Sequence, residues 1–427
     1  MNTVSVVGLG KIGLPLAVQC ANKGKIVIGC DVQKSIVEGI NAGNNHVPEE
    51  PGLTEPVKRY VKAGKLSATL DTPAAVARSE VVIVVVPLIV DAQKRPDFRM
   101  IDSATEAVGR GLQKGALVIF ETTLPVGTTR TRLAQKLCSV SGLALSQFFL
   151  AFSPERVYSG RILKDLATYP KVVGGVDVES TKRAVAFYSS ILDTPIIPLT
   201  SDEAEFTKLI DMTYRDVNIA LANEFAKFAS EKGLDVLRCI EASNSQPYSK
   251  ILQPGIGVGG HCAPVYPYFL TTQSPSLKLA ELARAENDGM AEYLVRHLEE
   301  AVPLKGKNVL IAGLAYRANV KETAFTTTKL ILEALKKRHA EVFIIDPLFS
   351  DDEIRAFGAS PSHQADLETQ RFDALITQAV HSGITFPWKK LAKNGLAAVL
   401  DGRNELDIRE ITSAGVAYFG AGKLPGK

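Results

Sequence analysis

The stretch PGIGVGGHCAPVYPYF, residues 254 to 269, sets one cysteine beside one histidine at the end of a run of glycines. Two readings of Cys262 stand. A lone cysteine is commonly buried and inert. Against that, Gly257, Gly259 and Gly260 crowd the positions before it, and such a turn frees backbone and offers N–H groups where a ligand or an oxyanion can approach. A free thiol ionises near pH ~8.5, so a reactive one needs accessible, electropositive surroundings to be mostly thiolate at neutral pH. The chemistry open to it is nucleophilic addition.

A second chemical pattern opens the chain. GLGKIG places Gly8, Gly10 and Gly13 between a strand-like TVSVV and a helical LPLAVQCANKG. The first glycine allows a tight turn, the second lets backbone approach a pyrophosphate, and the third permits close helix-to-strand packing. The helix N-terminus adds N–H donors. Asp31 closes the next strand, IVIGCD, eighteen residues after Gly13, where a carboxylate can take both ribose hydroxyls of NAD and repel the 2′-phosphate of NADP. No arginine follows Asp31 directly, so NAD is the expected cofactor. An NAD site also gives Cys262 a use, since a thiol added to an aldehyde forms a thiohemiacetal able to give up a second hydride.

The elements that must position these residues alternate between strand and helix. Strand candidates at 81–87 (VVIVVVP), 116–123 (ALVIFETT), 148–155 (FFLAFSPE) and 171–176 (KVVGGV) follow the rhythm of a doubly wound parallel sheet, apolar on both faces because helices cover both sides. From Asp202 to Lys232 neither glycine nor proline interrupts a helical pattern, which Gly233 ends. At 1.5 Å per residue that helix spans roughly 45 Å, more than a crossover needs and suited to a spine between domains. A second helical run covers 276–302. Beyond PLKGK the opening pattern recurs as KNVLIAGLAYR, TTKLILEALKKRH and AEVFIIDP ending in Asp346, followed by DALITQAV and AAVLDGR. The expected class is α/β, with two Rossmann-like doubly wound domains joined by a long central helix.

Composition removes several alternatives. The 427 residues are 46% hydrophobic and 22% charged, ordinary for a globular chain. Forty-nine basic against 46 acidic side chains leave a formal charge of +3, too balanced for a nucleic-acid footprint. Five cysteines without paired spacing indicate neither a disulfide framework nor a metal site. A strand pattern from the second or third residue leaves no room for a secretory leader, and no apolar run approaches the roughly 18 residues of a membrane span. A soluble, cytoplasmic protein is expected.

Taken together, GLGKIG, ETTLPVGTT (121 to 129), SPER (153 to 156), EAEFTKL and RDVNIALANE on the long helix, GVGGHC, GLAYR and DGRN (401 to 404) give the chain a resemblance to the UDP-glucose/GDP-mannose dehydrogenase superfamily over nearly its whole length. Within it the chain resembles the UDP-N-acetylmannosamine and UDP-N-acetylglucosamine 6-dehydrogenases. The resemblance implies an NAD-binding Rossmann domain over 1–198, a central helical dimerisation and catalytic region over 199–302, and a UDP-sugar-binding Rossmann-like domain over 303–427. It implies a homodimer through the central helix. It further implies that a C6 hydroxyl is oxidised twice, with two NAD used in turn, through a thiohemiacetal and a thioester on Cys262. Glu155 matches the acid or base of thioester hydrolysis, a role that needs a carboxylate within reach of a water. Lys208 matches the lysine that stabilises negative charge on the substrate oxygen, and Thr123 matches a threonine of the NAD and water site. The implied cofactor contacts are Gly8, Gly10, Gly13, Asp31, Pro87 and Thr123; the implied substrate contacts are Arg156, Arg161, Lys208, Gly259, Arg317 and Arg403. Without the resemblance, Glu155 reads as a solvated loop carboxylate and Lys208 as part of a solvated helix face. Arg156 followed by Gly160 and Arg161 marks the N-acetylhexosamine enzymes, whereas the UDP-glucose enzymes usually carry PEF.

The chain also departs from that pattern. Met212 stands where the family has an asparagine, Tyr266 where it has an aspartate, and KETAFT (321 to 326) where it has an acidic pair and Arg-Glu-Ser. Three alternatives to a four-electron oxidation of a UDP-N-acetylhexosamine stay open: the same oxidation of UDP-glucose, a variant that stops at the aldehyde or only binds nucleotide sugar, and a two-domain hydroxyacid dehydrogenase of the 6-phosphogluconate type. The last shares the glycine loop and long helix but has no need of GVGGHC.

Overall fold

The structure, a computed structural model, describes residues 1–158 and 160–423. Its described residues divide into two compact units, one within 1–211 with 268–273 and the other 212–267 with 274–423.

The first unit is built on eight strands: β1 Thr3–Val7, β2 Ile26–Cys30, β3 Leu66–Thr69, β4 Val81–Val84, β5 Leu117–Phe120, β6 Phe149–Phe152, β7 Lys171–Gly175 and β8 Ile196–Thr200. Their order across the sheet is β8-β7-β6-β5-β4-β1-β2-β3, which contains the 3-2-1-4-5-6 arrangement of a dinucleotide-binding fold. Every residue of β4 and β5 is buried, as apolar strands covered on both faces must be. The sheet is not parallel throughout. β7 runs antiparallel to β6, with Ala151 opposite Gly175, and β8 then runs parallel to β7. The sequence rhythm had placed 171–176 in the parallel run; strand direction leaves no mark in residue type, so this reversal was not readable there. Helix α1, Gly13–Asn22, follows the glycine turn. A Cβ on Gly13 would come within 1.8 Å of the Gly8 carbonyl oxygen, which is why only glycine lets the helix start so close to its strand.

The second unit repeats the design. Strands β9 Asn308–Ala312, β10 Glu341–Ile345, β11 Ser360–Ser362, β12 Ala374–Thr377, β13 Ala398–Asp401 and β14 Ala417–Gly420 lie in the order β11-β10-β9-β12-β13-β14, all parallel. Leu294 and Leu298 join Ile311, Ile344, Ile376 and Leu400 in its core.

Helix α2 runs from Ser201 to Lys232, and the boundary between the units falls within it, between Asp211 and Met212. Its start is a capping box: Glu203 accepts from the Thr200 N–H at 2.8 Å while the Thr200 hydroxyl accepts from the Glu203 N–H at 3.3 Å. Gly233, at φ +71°, follows its last residue. Within the second unit, α2 and helix α3, Lys278–Ala301, share a buried polar chain. Asp216 accepts from Arg284 at 2.6 Å and from Asn287 at 2.9 Å, Asn287 accepts from Asn223 at 2.9 Å, and Asn223 accepts from the Gly255 N–H at 2.9 Å. The chain ends where the cysteine loop begins. Among the described residues no helix is long and apolar enough to cross a membrane, and no three His, Cys, Asp or Glu side chains cluster as metal ligands.

Candidate active site

Because β1, β2, β4, β5 and β6 are parallel, their carboxyl ends share one edge, where open α/β sheets bind ligands. Gly8, Gly10, Asp31, Pro87, Thr123 and Glu155 all follow those ends. Gly8 has φ +93°, and a Cβ on it would press to 2.9 Å from the Val85 carbonyl oxygen; a Cβ on Gly10 would meet nothing within 4 Å. Open space at the second glycine is what a pyrophosphate requires. Asp31 is held by two backbone donors, Leu9 N–H to Oδ2 and Gln33 N–H to Oδ1, each at 2.9 Å. These residues fit a dinucleotide. Asp31→Ala should therefore lower the preference for NAD over NADP by about 10- to 100-fold, the worth of charged hydrogen bonds to the ribose, read as the ratio of kcat/KM for the two cofactors. Unchanged discrimination would mean that Asp31 does not reach the ribose.

In the second unit, the corresponding Asp346 accepts from the Leu314 and Ala315 N–H groups at 2.8 and 3.0 Å and from His381 Nε2 at 2.8 Å. Burial raises its pKa, but these donors, His381 foremost, outweigh it and leave the carboxyl below its ordinary range. Four of that unit's parallel strands end on a shared edge that carries Tyr316, Arg317, Gln378 and Arg403.

Glu155 does not sit as a solvated loop carboxylate. Its Oε2 accepts from Lys171 Nζ at 3.0 Å and its Oε1 from the Arg156 N–H at 2.7 Å. Lys171, buried at the start of β7, also reaches Glu121 at 3.2 Å, and Glu121 takes the hydroxyl of buried Tyr188. Two carboxylates thus share one cation. For Glu155 burial raises the pKa, yet the charge and hydrogen bond of Lys171 win and hold it below the usual value. For Glu121 burial dominates, with Glu155 adding to it, and the carboxyl is pushed up to about 7. The negative charge therefore rests on Glu155.

Around the start of α2, Glu205 grips the ETTLPVGTT loop: its carboxylate accepts from the Gly127 N–H at 2.6 Å and from the N–H and hydroxyl of Thr129 at 2.8 and 2.6 Å. Burial still raises it to about 7 despite those donors. Lys208, one turn further, is buried. Arg156 pairs with Asp211 at 3.0 Å, which ties the SPER loop to the helix. Arg161 pairs with buried Asp165 at 2.9 Å and so serves its own loop.

In the second unit the cysteine loop packs against the segment after β9. A Cβ on Gly257 would meet Thr327 at 2.4 Å, one on Gly259 would meet Tyr316 at 2.9 Å and the Phe325 carbonyl at 3.0 Å, and one on Gly260 would meet the Tyr316 ring at 3.0 Å. The Gly260 N–H is already spent on the Ala324 carbonyl at 2.9 Å. Of the N–H groups expected to be spare, that of Gly260 is thus taken, and the three glycines make room for Thr327, Tyr316 and the chain's own backbone. Arg403 donates to the Gly257 carbonyl and to Gln378 Oε1, both at 2.9 Å, and so braces the loop. Arg317 donates to the Tyr316 hydroxyl at 3.0 Å.

Cys262 is partly exposed and donates to the Tyr266 hydroxyl at 3.7 Å. Burial, by contrast, pushes the thiols of Cys20 and Cys30 up to about 12, which makes them inert. Beside Cys262, His261 Nδ1 lies 2.8 Å from Glu322 Oε1. Sequence reading missed His261, Glu322, Lys171, Glu121 and Glu205. Only His261 carried a sign, its place next to the thiol; the others are brought in from 16 to 78 residues away along the chain.

Three models of the UDP-glucose/GDP-mannose dehydrogenase family match in sequence: the NAD binding domain at residues 2–192, the central domain at 202–288 and the UDP binding domain at 310–408. UDP-N-acetyl-D-mannosamine dehydrogenase of Pyrococcus horikoshii is 36% identical over 351 residues, 81% of this chain and 83% of that protein. The solved structure of the UDP-D-ManNAc dehydrogenase from Pyrococcus horikoshii superposes with a TM-score of 0.89 at 32% identity and covers 99% of both chains. A UDP-glucose dehydrogenase from Pyrobaculum islandicum superposes at 0.86 with 28% identity, over 99% of this chain and 98% of that one. With an NAD edge in one unit and a second nucleotide fold in the other, the chain belongs to the UDP-glucose/GDP-mannose dehydrogenase family and is an NAD-dependent nucleotide-sugar dehydrogenase.

Proposed function

We propose that the chain oxidises the C6 hydroxyl of a UDP-N-acetylhexosamine, with UDP-N-acetylmannosamine favoured over UDP-N-acetylglucosamine, to the uronic acid. The observation that carries this is the matched order of all three family segments together with an intact Cys262 in GVGGHC; the mannosamine relative supports the sugar. Gly8, Gly10, Gly13 and Asp31 would hold NAD, with Pro87 and Thr123 beside it, and Arg156, Arg161, Gly259, Arg317 and Arg403 belong to the substrate side. When bound, NAD accepts a hydride from the substrate carbon in each oxidation. The Cys262 sulfur adds to the aldehyde carbon between the two, Lys208 offsets charge on the substrate oxygen, and Glu155 takes the proton of the water that cleaves the thioester. The domains implied by sequence, 1–198, 199–302 and 303–427, carry these tasks in turn, and the product is a cytoplasmic precursor for polysaccharide assembly. Counting NADH per UDP-sugar across a panel of sugars tests the reading. Two per UDP-N-acetylmannosamine is expected; preferential use of UDP-glucose would overturn the sugar, and one or none per sugar would overturn the double oxidation. Met212 and Tyr266 are what favour the single-oxidation alternative, because each replaces a polar helper.

We further infer a homodimer through α2. Phe206, Ile210, Tyr214, Leu221, Phe225 and Phe228 are each more than two-fifths exposed, and at 3.6 residues per turn they fall within an arc of about 100°. A stripe of aromatic and aliphatic side chains facing water along one helix face is the pattern of an unpaired interface, and a second copy presents its equal. Leu221→Asp with Phe225→Asp should convert the dimer to monomer in sedimentation velocity at micromolar concentration. A dimer that survives both changes would remove α2 as the contact.

A further inference from the structure

Cys262 has a neighbour that the sequence reading left unused. His261 Nδ1 meets Glu322 Oε1 at 2.8 Å, and the imidazole is the side chain next along the chain to Cys262. Glu322 is itself held in place. The Tyr316 N–H donates to its carbonyl at 3.0 Å, its own N–H donates to Val320 at 3.0 Å, and two residues on the Ala324 carbonyl takes the Gly260 N–H at 2.9 Å. The backbone bond from Gly260 to Ala324 and the side-chain bond from His261 to Glu322 therefore fasten the cysteine loop to the 316–324 segment at adjacent points. The register is what brings the carboxylate to the ring.

We propose that His261 and Glu322 are positioning residues for the Cys262 nucleophile: Glu322 orients the imidazole, and the imidazole takes the thiol proton, so that the resting sulfur is a thiolate. One proton moves from Sγ to the ring, no bond to carbon is made or broken, and the sulfur lone pair is left free to form the C–S bond with the aldehyde. This rests on the reading of Cys262 as the nucleophile. The charge arrangement agrees with it. Hydrogen bonding to Cys262 first, and to Glu322 next, raises the imidazole to about 10 against the opposing effect of burial, and an interaction that favours the imidazolium favours its anionic partner equally. The ring side chain is half exposed, so water screens part of the attraction. Tyr316, Arg317 and Tyr266 also lie about this pair in the same unit. Burial raises the Tyr316 phenol, and the charges of Glu322 and Cys262 raise it further, which keeps it neutral. Arg317 is engaged with the Tyr316 hydroxyl. The Tyr266 hydroxyl, 3.7 Å from Sγ, can donate to the sulfur once the proton has gone to His261.

The test reads the sulfur without turnover. The full chain is treated with iodoacetamide between pH 5 and pH 10, and carbamidomethylation of the peptide containing Cys262 is followed by mass spectrometry, which separates it from Cys138 and Cys239. The native chain should be alkylated with a midpoint below pH ~7. His261→Gln should move the midpoint to the ordinary thiol range near ~8.5 and slow the reaction at pH ~6 by at least about tenfold, with the two rates converging above pH ~9. Glu322→Gln should slow it severalfold at the acid end. A native midpoint in the ordinary range, or a His261→Gln profile that superimposes on the native one, overturns the proposal. Should His261→Gln fail to fold by circular dichroism, Glu322→Gln decides alone, and an unmoved midpoint in that variant overturns it equally. Cys262→Ser separates the two readings: if it still turns over, the catalytic role of the sulfur falls while a shifted alkylation profile keeps the pairing; if the profile is unshifted, the pairing falls whatever the turnover.

Discussion

Cys262→Ser should bind NAD and UDP-sugar as the native chain does and yet lose steady-state NADH production by at least about 10³-fold. The hydroxyl is nearly the size of the thiol but is a far poorer nucleophile at neutral pH, so the aldehyde is not captured. The loop should keep its shape, because its anchors lie elsewhere: Arg403 on the Gly257 carbonyl, Asn223 on the Gly255 N–H and Ala324 on the Gly260 N–H. The first oxidation needs no sulfur, so one turnover should release at most one NADH per site. Isothermal titration for binding and a stopped-flow trace for NADH check both halves, and full activity would end the covalent mechanism.

Glu155→Gln should lower the steady-state rate by roughly 10²- to 10⁴-fold, the usual worth of a positioned general base, while a burst of two NADH per site appears and a sugar adduct stays on Cys262. Tyr266 now stands four residues after the sulfur, and Met212 four after Lys208, so neither supplies the carboxylate or amide that the family places there. The amide of glutamine keeps the size of Glu155 but cannot accept the proton. The fold should tolerate the change, since Lys171 retains Glu121 at 3.2 Å, and with Glu155 uncharged that second carboxylate can ionise in its place. Intact-mass spectrometry of the quenched burst reads the adduct. If Tyr266→Phe accumulates it and Glu155→Gln does not, Tyr266 is the residue that manages the water.

Much of this was legible because Rossmann folds write themselves twice, once in strand hydrophobicity and once in the glycine turns. Gly8, Gly10, Gly13 and Asp31 sit in thirty-one consecutive residues, and local spacing suffices to read them. The charged network around Glu155 could not be read that way. Lys171 opens an apolar strand and looks like a solvated strand end, yet the antiparallel turn of β7 brings it inside, to a carboxylate on β5's far end and another after β6. The glycines before Cys262 are ambiguous for a related reason: a glycine that makes room for a ligand and one that makes room for Tyr316 look alike until the partner is known. Glu322, in the segment that departs from the family pattern, gains meaning only from its distance to His261.

The shared lysine has a thermodynamic consequence. Unfolded, Glu121 would ionise near its ordinary 4.5; folded, it does so at about 7. Between those values the native chain holds a proton that the unfolded chain releases, so acidification across that window favours the native state, and the advantage is lost as the pH rises through 7. Glu155, held below its ordinary value, works in the opposite sense and withdraws its contribution only as the solution becomes more acid than 4.5. Near neutrality the one proton of the trio in play is therefore that of Glu121, while Glu155 and Lys171 keep their opposite charges.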